Sequence, residues 1–148
     1  MADKLKQFPQ ISGMDLVLST VVVFIVNVVV LFIAHMIAPN AYVLGTHSLS
    51  LWWAIKLSMG ELALLCGLVM PFVGMIEQNR QKVFSPIEWS TLYLIVDVVG
   101  IWAISRFSEV YGLGVSSWMV VLPLAVALDV VQGMVMMFYG QMMKKMVK

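Results

Sequence analysis

Four polar residues stand in the middle of long apolar stretches: Asn27, Glu61, Asp97 and Asp129. Three of them are carboxylic acids, and Gln132 follows Asp129 by three positions. Carboxyl groups held away from water do two kinds of chemistry: they exchange protons, or together with amides they ligate a cation. Three clustered carboxyls cannot all stay ionised in a low dielectric. Either one or more carries a proton, or a cation sits among them with Asn27 and Gln132 as neutral ligands. Two static readings stand beside these. The acids could be protonated and bonded to Asn27, Tyr93 and Gln132 as structural ties, or they could face a partner subunit. Which metal ion, if any, would be held is left open.

The flanking residues suit an inward-facing cluster. Thr20, Asn27 and Ala34 repeat every seven positions, with His35 on the same side. Ser90, Tyr93, Asp97 and Gly100 follow spacings of three and four, as neighbours on one helix face do. Five residues of helix leave Lys56 about 140° from Glu61, and Lys56 is read as snorkelling to the interface rather than pairing with Asp97 or Asp129. His35 lies near a segment end and His47 in a loop, which does not give the opposed deep imidazoles of a haem site. No cofactor is expected, and the single cysteine, Cys66, is read as inert inside a span.

Such groups need long apolar elements to carry them, and the composition supplies these. The chain has 148 residues, 61% hydrophobic, with 9 basic and 8 acidic residues and a mean hydropathy of +0.96. A soluble domain of this size needs many more surface charges. Disorder is excluded by the apolar content. Disulfide scaffolds and zinc-thiolate sites are excluded by the lone cysteine. A net charge of +1 without a basic stretch beyond the tail argues against nucleic acid. A bilayer core of roughly 30 Å takes about 20 apolar residues of helix. Four segments are long enough, at about 14–38, 50–76, 86–104 and 116–139. They make the chain an all-α integral membrane protein: one membrane domain over 1–148, an antiparallel four-transmembrane-helix bundle. Counting 1.5 Å per residue puts Asn27, Glu61, Asp97 and Asp129 roughly 16–20 Å from their helix ends, near one midplane.

Lysine and arginine placement orients the bundle. Lys4, Lys6, Arg80, Lys82, Lys144, Lys145 and Lys148 fall on one side, and Arg106, close to Glu109, on the other. Both termini are therefore expected in the cytoplasm, with the chain in the cytoplasmic (inner) membrane. The first apolar run is longer than a signal-peptide core and is read as retained. The tail GQMMKKMVK is expected to continue the fourth helix into the headgroups. Ser85-Pro86-Ile87-Glu88 carries a capping box, Ser12 to Asp15 a looser start signal, and Ser116 or Ser117 could cap the last helix. Trp52, Trp53, Trp89, Trp118 and Tyr139 lie near segment ends, as interfacial rings do. Pro71 and Pro123 interrupt their helices. Ala63 and Gly67 form a small-residue pair opposite Glu61, suited to close contact with a neighbour such as a second protomer.

Three functions fit these residues. The first is a small transporter or channel-like protein, oligomeric, moving protons or cations through Glu61, Asp97 and Asp129. The second is a non-catalytic accessory or scaffold subunit of a larger membrane complex. The third is a membrane enzyme acting on a lipid-like substrate, which would need a cavity open sideways to lipid. Partners under all three are the bilayer and either a second copy or a hetero-complex.

Overall fold

A computed structural model describes residues 13–146, with side chains over 13–138. Ser12, Lys4, Lys6 and Lys148 lie outside the described residues, as do the side chains of Tyr139, Lys144 and Lys145. Four helices are long and apolar enough to cross a membrane: α1 (Gly13–Ile37), α2 (Leu51–Arg80), α3 (Pro86–Arg106) and the first part of α5 (Trp118–Met146). They coincide with the expected spans, and α5 does run on into the tail. In the bilayer a backbone must satisfy itself, so the valine-rich stretches become helices despite their strand preference in water.

The helix ends are built from local chemistry. Ser85 caps α3 by accepting from the Glu88 backbone N–H at 3.3 Å, while the Glu88 carboxylate accepts from the Ser85 N–H at 2.7 Å. α2 closes on Gln81 in the left-handed conformation, and the Glu77 side chain accepts from the Phe84 N–H at 2.7 Å. The α2–α3 turn is thus held from both sides by carboxylates.

Contacts between helices pair residues in opposite chain order. Ser19 and Phe24 of α1 meet Met70 and Gly60 of α2, and Phe32 stacks on Trp52 at 5.6 Å. Cys66 and Leu62 of α2 meet Asp97 and Gly100 of α3. Two glycines permit these approaches. A Cβ on Gly67 would lie 2.6 Å from the Thr20 hydroxyl, and one on Gly100 would lie 2.6 Å from the Leu62 side chain. The Ala63–Gly67 pair is therefore used within the chain, against α1. The expected contact with a second protomer at that pair is corrected: with no side chain to hold it off, α1 occupies the face first.

The fold is not purely helical. The connections at one end of the bundle form a two-stranded antiparallel ribbon, β1 (Tyr42–Leu44) on β2 (Leu113–Val115), with a single-turn helix α4 (Ser108–Tyr111) before β2. These stretches read as plain loops in the sequence because each strand has only three residues and its partner lies about 70 positions away. Gly112 enters β2 with φ +73°, and a Cβ there would collide with Ala54. Tyr42 is buried and its hydroxyl donates to the Val120 carbonyl at 3.0 Å, tying the ribbon to α5.

The buried core lies beneath this ribbon. Leu31, Ile55, Met59, Leu62, Ile101, Leu124 and Leu128 are all nearly inaccessible. The outward faces are as apolar as the core. On α1, Val17, Val21, Ile25, Val29 and Ile33 form a stripe at every fourth residue, each about half exposed. Water would not tolerate that surface on a monomer. Lipid would, and this makes the chain compatible with a multi-pass membrane protein.

Candidate functional site

Asp97 sits at the middle of α3 and is completely buried. Tyr93, Asp97, Gly100 and Ile104 share one helix face, and Gly100 lets that face press on α2. The approach brings Cys66 to the carboxylate, where its thiol donates to Oδ1 at 3.3 Å. Among the described residues, the second oxygen, Oδ2, takes no hydrogen bond of good geometry. Cys66 is buried in α2 and makes a polar contact that the sequence did not signal. The available signal was depth: Cys66 precedes the end of its expected span by about as many residues as Asp97 follows the start of its own.

Asn27 of α1 is equally buried. Its Oδ1 accepts from Gln132 Nε2 of α5 at 2.7 Å, and its Nδ2 has no partner. Two inaccessible side chains at one depth thus each keep one unsatisfied polar atom, a carboxylate oxygen and an amide N–H. An orphaned buried group costs about 1–3 kcal/mol.

Asp129 is the third member, and it is only half buried. Its Oδ2 accepts from the Ser90 hydroxyl at 2.7 Å, linking α5 to α3. Its other oxygen takes no hydrogen bond from the described residues. Asp97 lies within electrostatic range of Asp129, and the Gln132 side-chain amide comes close enough to its carboxylate to act as a weak donor. The structure therefore brings together Asn27, Asp97, Asp129 and Gln132, with Tyr93 half buried beside them and stacked on Trp89 at 5.8 Å.

Asp129 and Gln132 also face a cavity of about 580 Å³. Val23 of α1 and Met70 of α2 form its floor, and Trp89, Tyr93 and Met136 form its walls. Its rim includes Pro86 and Ser90 of α3 and Gly133 and Met137 of α5, all exposed. The cavity thus opens between α3 and α5, in the half of the bundle away from the ribbon. Toward the ribbon the space is filled by Ile55, Met59, Leu62, Ile101, Leu124 and Leu128. The site has one open side and one sealed side.

The remaining candidates stand apart. Glu61 is half buried on α2 and makes no hydrogen bond or ion pair among the described residues. Five residues separate it from Cys66, so it points about 140° away from the face that meets Asp97. Lys56 is exposed, with its ammonium 5.3 Å from the Trp53 ring centroid and no carboxylate within bonding distance. His35 sits at the ribbon end, its Nδ1 2.7 Å from the Tyr42 carbonyl. A carbonyl can only accept, so that nitrogen carries the proton. His47 is exposed in the ribbon loop. Among the described residues, no three His, Cys, Asp or Glu side chains come together as a metal site. No protein-family model, curated protein or solved structure matches the chain.

Proposed function

We propose that this chain is a small multi-pass membrane transporter that moves protons or small cations through Asp97 and Asp129. In this reading the four spans form an antiparallel bundle with both termini in the cytoplasm. The open side of the cavity then faces the cytoplasmic half of the bilayer and the ribbon caps the outer half. The reversed order of the helix contacts and the basic Arg80 and Lys82 at the open end support this placement.

One observation carries the functional reading: a fully buried carboxylate with an unsatisfied oxygen stands beside a second carboxylate on the wall of an open cavity. Asp129 takes up the proton or cation from the cavity, with Ser90 holding its far oxygen. Asp97 is the buried relay, its orphaned Oδ2 the receiving atom and Cys66 the orienting donor. Asn27 and Gln132 flank the step as neutral dipoles. Two carboxylates this close in a dry environment do not both stay charged without a shared proton or a bound cation. That coupling lets arrival at one displace what is held at the other. Transfer to the far side requires the apolar residues beneath the ribbon to part, and in this reading the open cavity belongs to a state facing the cytoplasm.

The test is flux in proteoliposomes enclosing a pH-sensitive dye under an imposed gradient. The wild type is expected to move protons, and Asp97→Asn and Asp129→Asn to lose at least nine-tenths of the rate while keeping helical content and elution volume. Glu61→Gln is expected to keep its rate. Absence of flux in the wild type, or full flux in both Asp variants, overturns the reading.

A further inference from the structure

We propose that the cavity between α3 and α5 binds a hydrophobic organic cation carrying a single positive charge, drawn from the membrane and held by Asp129. The proposal rests on the transporter reading for its biological sense, but its physical basis is separate: the shape, charge and access of the cavity.

Size comes first. A space of about 580 Å³ is within the range that holds a small organic molecule, and far beyond what a bare ion needs. The floor and walls are apolar, from Val23 and Met70 to Met136, and thioether side chains adapt to irregular ligand shapes. A small ion meets only Asp129 and its polar neighbours and leaves the apolar walls unmatched. An organic cation matches both.

Charge comes next. Among the described residues, Asp129 is the only carboxylic acid on the cavity surface, and no lysine, arginine or histidine lines it. With Ser90 satisfying Oδ2, the other carboxylate oxygen is left to meet a positive group. The stacked rings of Trp89 and Tyr93 also line the space, and aromatic faces attract organic cations when water is excluded. An anion would face a carboxylate with no charged group to offset it, only the neutral donors of Ser90, Trp89, Tyr93 and Gln132. A neutral molecule would leave Asp129 without a partner.

Access completes the argument. The rim residues on α3 and α5 belong to surfaces that face lipid in the membrane, so an amphipathic ligand enters sideways from the bilayer. Gly133 leaves the doorway open: a Cβ at that position would meet nothing within 4 Å.

The test uses two ions of nearly the same shape and opposite charge, tetraphenylphosphonium and tetraphenylborate, with the full chain purified in an uncharged detergent. Equilibrium dialysis is expected to show one saturable phosphonium site per chain, with no competition from tetraphenylborate. Asp129→Asn should weaken it at least tenfold and Asp129→Glu should keep most of the affinity. Gly133→Leu places bulk at the doorway without touching the charge, and it should also remove the site. Equal binding of both ions, undiminished phosphonium binding in Asp129→Asn, or no saturable binding at all would overturn the proposal. Because the readout is binding rather than flux, its failure leaves an active Asp97–Asp129 proton path standing, whereas loss of wild-type proton flux with cation binding intact removes the transporter reading alone.

Discussion

Asn27 and Gln132 meet across α1 and α5 through one hydrogen bond of 2.7 Å. In a membrane interior such bonds contribute about 0.6 kcal/mol on average, up to roughly 2 kcal/mol. Gln132→Leu removes the donor and leaves Asn27 with both polar atoms unsatisfied. The expected outcome is a loss of about 1–2 kcal/mol, measured by reversible unfolding in mixed detergent micelles. Asn27→Leu combined with Gln132→Leu should cost less than the two single changes added together, since neither orphan then remains. Simple additivity would mean that the bond does not couple the two helices. At this scale the sequence was informative about depth and silent about angle. Counting residues placed Asn27, Asp97 and Asp129 on one level, and the structure groups them. Counting also placed Glu61 there, but a half-turn of helix decides whether equal depth becomes contact. That angle depends on which neighbours α2 chooses. Cys66 was overlooked because a lone cysteine announces no partner, although its depth matched that of Asp97.

The helices themselves were legible, because length and hydropathy are properties of one segment. So was the capping box at Ser85 and Glu88, which is local chemistry within four residues. The ribbon was not. Tyr42, Val43 and Leu44 form a strand only because Leu113, Gly114 and Val115 come alongside, and nothing in either stretch signals the other. Gly112 makes the junction possible. Its positive φ is costly for any residue with a side chain, and Ala54 occupies the space a Cβ would need. Gly112→Ala should therefore destabilise the protein by roughly 1–3 kcal/mol, read from the midpoint of thermal aggregation or detergent unfolding. Gly133→Ala, inside α5 with open space around it, should be neutral or slightly stabilising in the same assay. Similar losses at both positions would show that the ribbon junction is not strained against Ala54.

As a whole, the molecule is asymmetric from end to end. One end is tied by the ribbon and packed with leucine and isoleucine. The other holds a cavity between α3 and α5 that reaches Asp129. Composition identified a membrane protein, and the few charges kept inside it marked where to look. The cavity could not be anticipated, because it is a space left by four helices rather than a property of any one. Its existence separates the acids into roles: Asp129 on the wall, Asp97 behind it, Glu61 elsewhere. Modification by dicyclohexylcarbodiimide tests that assignment most directly. This apolar reagent reaches carboxyl groups from lipid and reacts with them covalently. Wild-type proteoliposomes treated for increasing times would be assayed for proton flux and then digested, and the modified fraction of each carboxyl-bearing peptide measured by mass spectrometry. The expected result is that flux falls in proportion to the modification of Asp129 and independently of the modification of Glu61. Flux that persists when the Asp129 peptide is fully modified, or that follows Glu61 instead, would contradict it.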